Sequence, residues 1–139
     1  MHITLQEGSE FFRGLLLLIR KDYRIAVEEK KLLMEIGRSL GFATSFCTIA
    51  VNEVLENKYI SELPPVFSSP HVARNFILHG LVVSYSDNEV HKNELQWLRA
   101  VAECNGIEDE WVLNEKEKLV QSLPDNEHGI KDMIRSKVR

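Results

Sequence analysis

The chain has 139 residues, of which 44% are hydrophobic and 27% are charged, a composition typical of one globular domain and not of a disordered chain. Its net charge of −4 disfavours the binding of nucleic-acid phosphates as a main activity. The longest apolar run is too short to cross a bilayer, and no signal-peptide pattern opens the sequence. We therefore expect a cytoplasmic protein without membrane insertion. Cys47 and Cys104 lack a CxxC spacing, and we expect both to be buried in a reduced state.

Apolar residues at helical spacing predict three helices in the first half of the chain, and strand signals are weak. The first helix is predicted to begin at Ser9, as its N-cap, and to run to about Arg20. The second is predicted to end at Gly41, which offers a left-handed C-terminal cap. The third is predicted to carry an apolar face composed of Phe46, Cys47, Ala50, Val54 and Leu55.

A proline-containing segment, 57–69, separates these helices from the second half and is predicted to be a linker. Ser69 as N-cap and Pro70 at the first position begin a fourth helix. A fifth helix is predicted to end at Asn105–Gly106, and a basic amphipathic seventh helix is predicted over 125–138. The apolar positions of the sixth helix are Trp111, Val112, Leu119 and Val120, and those of the seventh are Ile130, Met133, Ile134 and Val138.

The chain repeats itself at an interval of 65 residues. This shift aligns 11–42 with 76–107 without a gap, and six of the 32 aligned pairs are identical. We therefore expect a single all-α domain of about seven helices, in which three-helix repeats at about 9–56 and 70–122 are related by a pseudo-twofold axis. The first and fourth helices are the most apolar and should form its centre. The identical pairs are Phe11/Phe76, Leu16/Leu81, Asp22/Asp87, Glu29/Glu94, Leu33/Leu98 and Gly41/Gly106.

Two of the identical pairs are acidic, and each copy places an aspartate in a turn and a glutamate in the first turn of the next helix. The four residues are Asp22, Glu29, Asp87 and Glu94. One interpretation is a cation site, because carboxylate oxygens suit calcium or magnesium. The other is helix capping: if Ala26 and His91 are N-caps, each glutamate falls at the third helical position and bonds the N-cap amide. The sequence leaves both interpretations open.

The residues of the second copy, 86–94 followed by Leu98, Val101, Ala102 and Asn105-Gly106-Ile107, resemble the tellurite-resistance TerB-like domain. The first copy, 22–42, is similar in a weaker form, and the resemblance covers about 9–122. It implies an all-helical, internally duplicated stress-response domain whose acidic turn residues form a negatively charged, cation-binding surface. The sequence departs from the family pattern at Tyr23 and Asn88, which replace a glycine.

Two functions follow as hypotheses. The first is a TerB-like domain that holds a divalent cation, such as calcium or magnesium, on the acidic surface. The alternative is a non-catalytic protein-interaction module without metal, in which the seventh helix docks a protein partner; a homodimer is compatible with it. The sequence contains no nucleophile–base motif and no glycine-rich phosphate loop, so we expect no enzyme.

Overall fold

The computed structural model describes residues 3–21, 25–87 and 91–122, with only the backbone at Asp87. These ranges contain six α-helices, one 3-10 turn and no strand, so the all-α prediction is confirmed. The seventh helix predicted over 125–138 lies outside the described residues. The helices are α1 (Leu5–Ile19), α2 (Val27–Ser39), α3 (Thr44–Glu53), α4 (Pro70–Ser84), α5 (Lys92–Cys104) and α6 (Asp109–Ser122), with the 3-10 turn at Tyr85–Asp87 between α4 and α5.

Most helix ends lie where local chemistry predicts them. The Ser69 hydroxyl accepts a hydrogen bond from the Val72 amide at 3.3 Å, and Pro70 is the first residue of α4. Gly41 and Gly106 have φ angles of 98° and 71°, so both left-handed caps are confirmed. This conformation is costly for residues with a Cβ atom, which explains glycine at both positions.

The predicted start of α1 at Ser9 is wrong. The helix begins at Leu5, and the hydroxyl of Thr4 accepts a hydrogen bond from the amide of Glu7 at 3.1 Å. Both Thr4 and Ser9 are residue types that favour the N-cap position. Thr4 comes first in the chain and satisfies one of the free amides at the helix end, so Ser9 lies within the helix.

Helices α1 and α4 carry the most buried residues and pack against each other, as predicted. Phe11 and Phe76 are fully buried, and their rings meet edge to face with centroids 5.3 Å apart. Gly14 permits this approach, because a Cβ atom there would lie 2.7 Å from the Phe76 ring. Trp97 of α5 closes the same region by donating from its indole Nε1 to the Gly14 carbonyl at 3.1 Å.

The predicted buried face of α3 is wrong in part. Cys47 and Val54 are buried, but Phe46 and Leu55 are 51% and 45% exposed. The helix packs mainly on α2, and a single neighbour covers only a narrow stripe. Cys104, the last residue of α5, is also exposed, contrary to prediction, because it lies where the helix ends at the surface.

The helices of the second half begin at a constant distance from those of the first. The starts Leu5, Val27 and Thr44 are each followed, 65 residues later, by Pro70, Lys92 and Asp109. The intervening segment, 57–69, contains neither helix nor strand. Among the described helices, none is long and apolar enough to cross a membrane.

Candidate functional site

The acidic residue of the first repeat, Glu29, acts as a helix cap. It is buried at the third position of α2, and its Oε1 accepts a hydrogen bond from the Ala26 amide at 2.9 Å. Ala26 has extended backbone angles of −70° and 152°, as an N-cap should. Because alanine has no side-chain oxygen, only the glutamate half of a capping box forms. The capping interpretation is confirmed for this residue.

The second repeat has the same local geometry. His91 is the N-cap of α5, with backbone angles of −73° and 149°, and Glu94 at the third helical position is fully buried. Asp22 and the side chain of Asp87 lie outside the described part of the structure. Within that part, no group of three or more metal-ligating side chains has a geometry suited to an ion. The cation site therefore stays a prediction.

Two buried serines lie where α4 meets the 3-10 turn that precedes the second acidic segment: Ser84 ends α4, and Ser86 is within the turn. Ser84 and Ser86 are nearly inaccessible to solvent, and their hydroxyls form no hydrogen bond with any residue that the structure describes. Helix α2, which carries Glu29, packs against this turn. The glutamate-bearing helix of the first repeat is thus adjacent to the turn that ends at Asp87.

A second surface feature is a groove, which is apolar, in contrast to the acidic turns. It has a volume of about 370 Å³ and is bounded by α1 on one side and α3 on the other, and we refer to it as the α1–α3 groove. Its outer wall includes Ile49, which is 57% exposed. The lining residues are Ser9, Phe12, Arg13, Leu16, Phe42, Phe46, Ile49, Ala50, Glu53, Asn57 and Ile60.

Three phenylalanines connect the groove to the core. The ring centroids of Phe12 and Phe42 are 5.5 Å apart, and those of Phe42 and Phe46 are 5.4 Å apart. Phe12 is 2% exposed, whereas Phe46 is half exposed. Gly37 permits the packing beneath them, since a Cβ atom there would lie 2.9 Å from the Phe12 ring and 2.6 Å from the Cys47 sulfur. The groove floor is therefore built on the rigid core.

The groove is bordered by a long uncharged segment. Residues 39–52, which include almost all of α3, carry no charged side chain. Glu53 lines the groove at the end of α3, and Arg13 lines it from α1. Arg13 is already engaged, because it pairs with Glu10 and donates to the carbonyls of 61 and 63 at 2.7 Å each. In contrast, the corresponding helix α6 carries six charged residues: Asp109, Glu110, Glu115, Lys116, Glu117 and Lys118.

Arg38 is in the last turn of α2, and this end of α2 packs on α3, since a Cβ atom at the neighbouring Gly37 would lie 2.6 Å from the Cys47 sulfur. Burial raises the pKa of the Cys47 thiol, and the positive charge of Arg38 opposes this rise. Arg38 itself is exposed. Helix α3 therefore has a basic group near its beginning and the acidic Glu53 at its end, with uncharged residues between them.

The corner between α5 and α6 contains a second, polar cleft of about 560 Å³. Arg99 donates two hydrogen bonds of 2.7 Å to the two carboxylate oxygens of Asp109, and both residues are partly exposed. This hydrogen bonding lowers the pKa of Asp109. The two charges satisfy each other, so this cleft offers less to a ligand than the apolar groove does.

Sequence reasoning missed the α1–α3 groove, although one signal for it is visible in the sequence. The absence of charge over 39–52 is unusual for a chain in which 27% of residues are charged. Comparison with known proteins adds no family: no family model, no curated protein and no solved structure matches this chain. The TerB-like resemblance therefore stays a prediction.

Proposed function

We propose that the protein is a non-catalytic protein-interaction module that binds its partner in the α1–α3 groove. The observation that carries this proposal is the combination of a concave apolar surface with an uncharged outer wall, on which Phe46 and Ile49 are half exposed. Apolar patches with aromatic residues and few charges are typical of protein interfaces. The partner chemistry that fits is an apolar protein surface with a bulky side chain that enters the groove.

A photo-crosslinking residue in the full chain tests this proposal. We expect the photoreactive residue to form a covalent protein adduct when it replaces Phe46, because this position borders the groove. Val120 of α6, which is 41% exposed, is the matched control and should form little adduct. Equal adduct formation at both positions, or none at position 46, would contradict the proposal. The adducts are measured by gel mobility and identified by mass spectrometry.

We also propose that the two halves form a pseudo-twofold TerB-like duplication. The constant interval between helix starts supports it, as do the matching left-handed glycines at 41 and 106 and the matching N-caps at 26 and 91. An experimental structure tests the symmetry: superposition of 5–53 on 70–118 should require a rotation close to a half turn. A small rotation or a large mismatch would contradict it.

A divalent-cation site at the acidic turns is the second candidate function. The packing of α2 against the turn that ends at Asp87 supports it, as do the buried hydroxyls of Ser84, at the end of α4, and of Ser86, within that turn. The calcium or magnesium ion would be bound at the acidic turns by carboxylate oxygens. The sequence predicts Asp22, Glu29, Asp87 and Glu94 as the ligands. We expect calorimetric titration of the full chain with CaCl₂ and MgCl₂ to detect binding of at least one of the two cations.

The control for that titration is an aspartate remote from the turns. Asp87→Asn should weaken cation binding by at least about tenfold, since each lost carboxylate removes a charged ligand. Asp109→Asn, in the α5–α6 corner, should leave it unchanged. Equal affinity in the two variants would exclude the acidic turn as the site.

A further inference from the structure

We propose that the occupant of the α1–α3 groove is a second copy of this chain, with the two α3 helices antiparallel across a twofold axis. The inference rests on the proposed interaction function and names its partner. Three observations lead to it: the arrangement of convex and concave apolar groups, the distribution of charge along α3, and the contrast with α6.

The apolar groups on this face are self-complementary. In a twofold interface the same surface patch of both copies meets. The patch must therefore contain both a protruding group and a recess, so that the group of one copy enters the recess of the other. Phe46 is half exposed at the edge of the groove, and Ile49 follows one turn later on the same helix. Each copy can therefore insert Phe46 into the groove of the other and receive the same residue in return.

The charges at the two ends of α3 are complementary between two copies only in the antiparallel orientation. Arg38 is exposed in the last turn of α2, shortly before α3 begins, and Glu53 is the last residue of α3, with the uncharged segment between them. A twofold axis through the middle of α3 brings Arg38 of each copy towards Glu53 of the partner subunit. The antiparallel helix dipoles also attract each other. A parallel orientation would instead place like charges together.

The contrast with α6 explains why α3 is the contact face. Two copies of a chain with net charge −4 repel each other, and contact through a highly charged face adds local like-charge repulsion. Contact through the uncharged segment 39–52 avoids this local like-charge repulsion. A different occupant, such as a basic amphipathic peptide, would be attracted by Glu53 but would gain nothing from Arg38. The contribution of Arg38 therefore distinguishes a second copy from that alternative.

Sedimentation equilibrium of the full chain tests the inference. We expect a monomer–dimer equilibrium in the micromolar range, and Phe46→Asp should raise the dimer dissociation constant at least about tenfold, as loss of a central aromatic anchor does. Ile49→Asp should act in the same direction. Val120→Asp is the matched control and should change the constant by less than about twofold. Circular dichroism verifies that each variant keeps its helix content, which is expected because all three side chains are about half exposed.

A charge exchange tests the orientation. Arg38→Glu and Glu53→Arg should each weaken the homodimer, because each places two like-charged pairs across the axis. An equimolar mixture of the two variants should associate more tightly than either variant alone, because both pairs are then attractive. This gain should shrink at high salt. A mixture that associates no better than the separate variants would overturn the antiparallel arrangement.

The outcomes separate this inference from the function on which it rests. A monomer at all concentrations up to about 1 mM, or a dimer insensitive to Phe46→Asp, overturns the second copy as occupant. In either case a crosslink from position 46 to a different protein leaves the interaction function standing. If position 46 also forms no crosslink, the second copy as occupant and the interaction function are both contradicted.

Discussion

Two glycines of α1 should respond oppositely to the addition of one methyl group. A Cβ atom at Gly14 would lie 2.7 Å from the Phe76 ring and 2.9 Å from Pro65, whereas at Gly8 its nearest neighbour would be 3.8 Å away. Gly14→Ala should therefore lower the free energy of unfolding by about 1–3 kcal/mol through overpacking. Gly8→Ala should raise it by about 0.5–1 kcal/mol, because alanine favours the helix. Urea unfolding measures both, and equal stability of the variants would contradict the packing at Gly14.

At the residue scale, local chemistry was predictable and the exposure of side chains was not. The role of Glu29 follows from its spacing of three from Ala26, because the bond to the N-cap amide depends only on nearby backbone. The exposure of Phe46 depends instead on which neighbours cover α3. An apolar pattern that includes both Phe46 and Cys47 is too wide for one neighbouring helix, and the sequence alone does not show which edge is uncovered.

At the element scale, Asn105 joins the segment 57–69 to the end of α5. Its Oδ1 accepts from the Phe67 amide at 2.8 Å, and its Nδ2 donates to the Pro65 carbonyl at 2.9 Å. Phe67 is buried beneath this contact and packs on Phe11 and Phe76. The linker predicted from its prolines is thus held to the second half by the Asn105 hydrogen bonds and by the packing of Phe67 on Phe76, contacts that its composition does not reveal.

Asn105→Ala should therefore loosen the linker. We expect a loss of about 2 kcal/mol in the free energy of unfolding, since two backbone groups lose their hydrogen-bond partner. Limited proteolysis should show faster cleavage within 57–69. Asn114→Ala, at an exposed position of α6, should change stability by less than about 0.5 kcal/mol and leave cleavage unchanged. Unchanged cleavage in Asn105→Ala would show that other contacts hold the segment.

At the scale of the whole molecule, neither half can bury its apolar helix alone. Phe11 of α1 packs against Phe76 of α4, and Trp97 of α5 bonds the backbone of α1. The sequence repeat predicted that each half would cover the apolar face of the other, because a unit with one apolar face needs a second unit to bury it. The pairing of particular side chains, such as Trp97 with the Gly14 carbonyl, has no counterpart in the sequence pattern and required the structure.

Separated halves should therefore fold only together. We expect fragments 1–69 and 70–139 to show weak helical circular dichroism when measured alone, because α1 and α4 each lose the surface that buries them. An equimolar mixture should recover helix content well above the sum of the two spectra. Phe76→Asp in the second fragment should prevent this recovery. Native helix content in the isolated first fragment would contradict the shared core.

The contact between Phe11 and Phe76 also has a consequence during synthesis. The two residues are 65 positions apart, and a ribosome adds about 5–20 residues per second, so the partner of α1 is made roughly 3–13 s after α1 itself. During that interval the side of α1 that packs on α4, including Phe11, has no surface to cover it. We therefore expect the nascent first half to expose this surface to chaperones until the second half completes the fold.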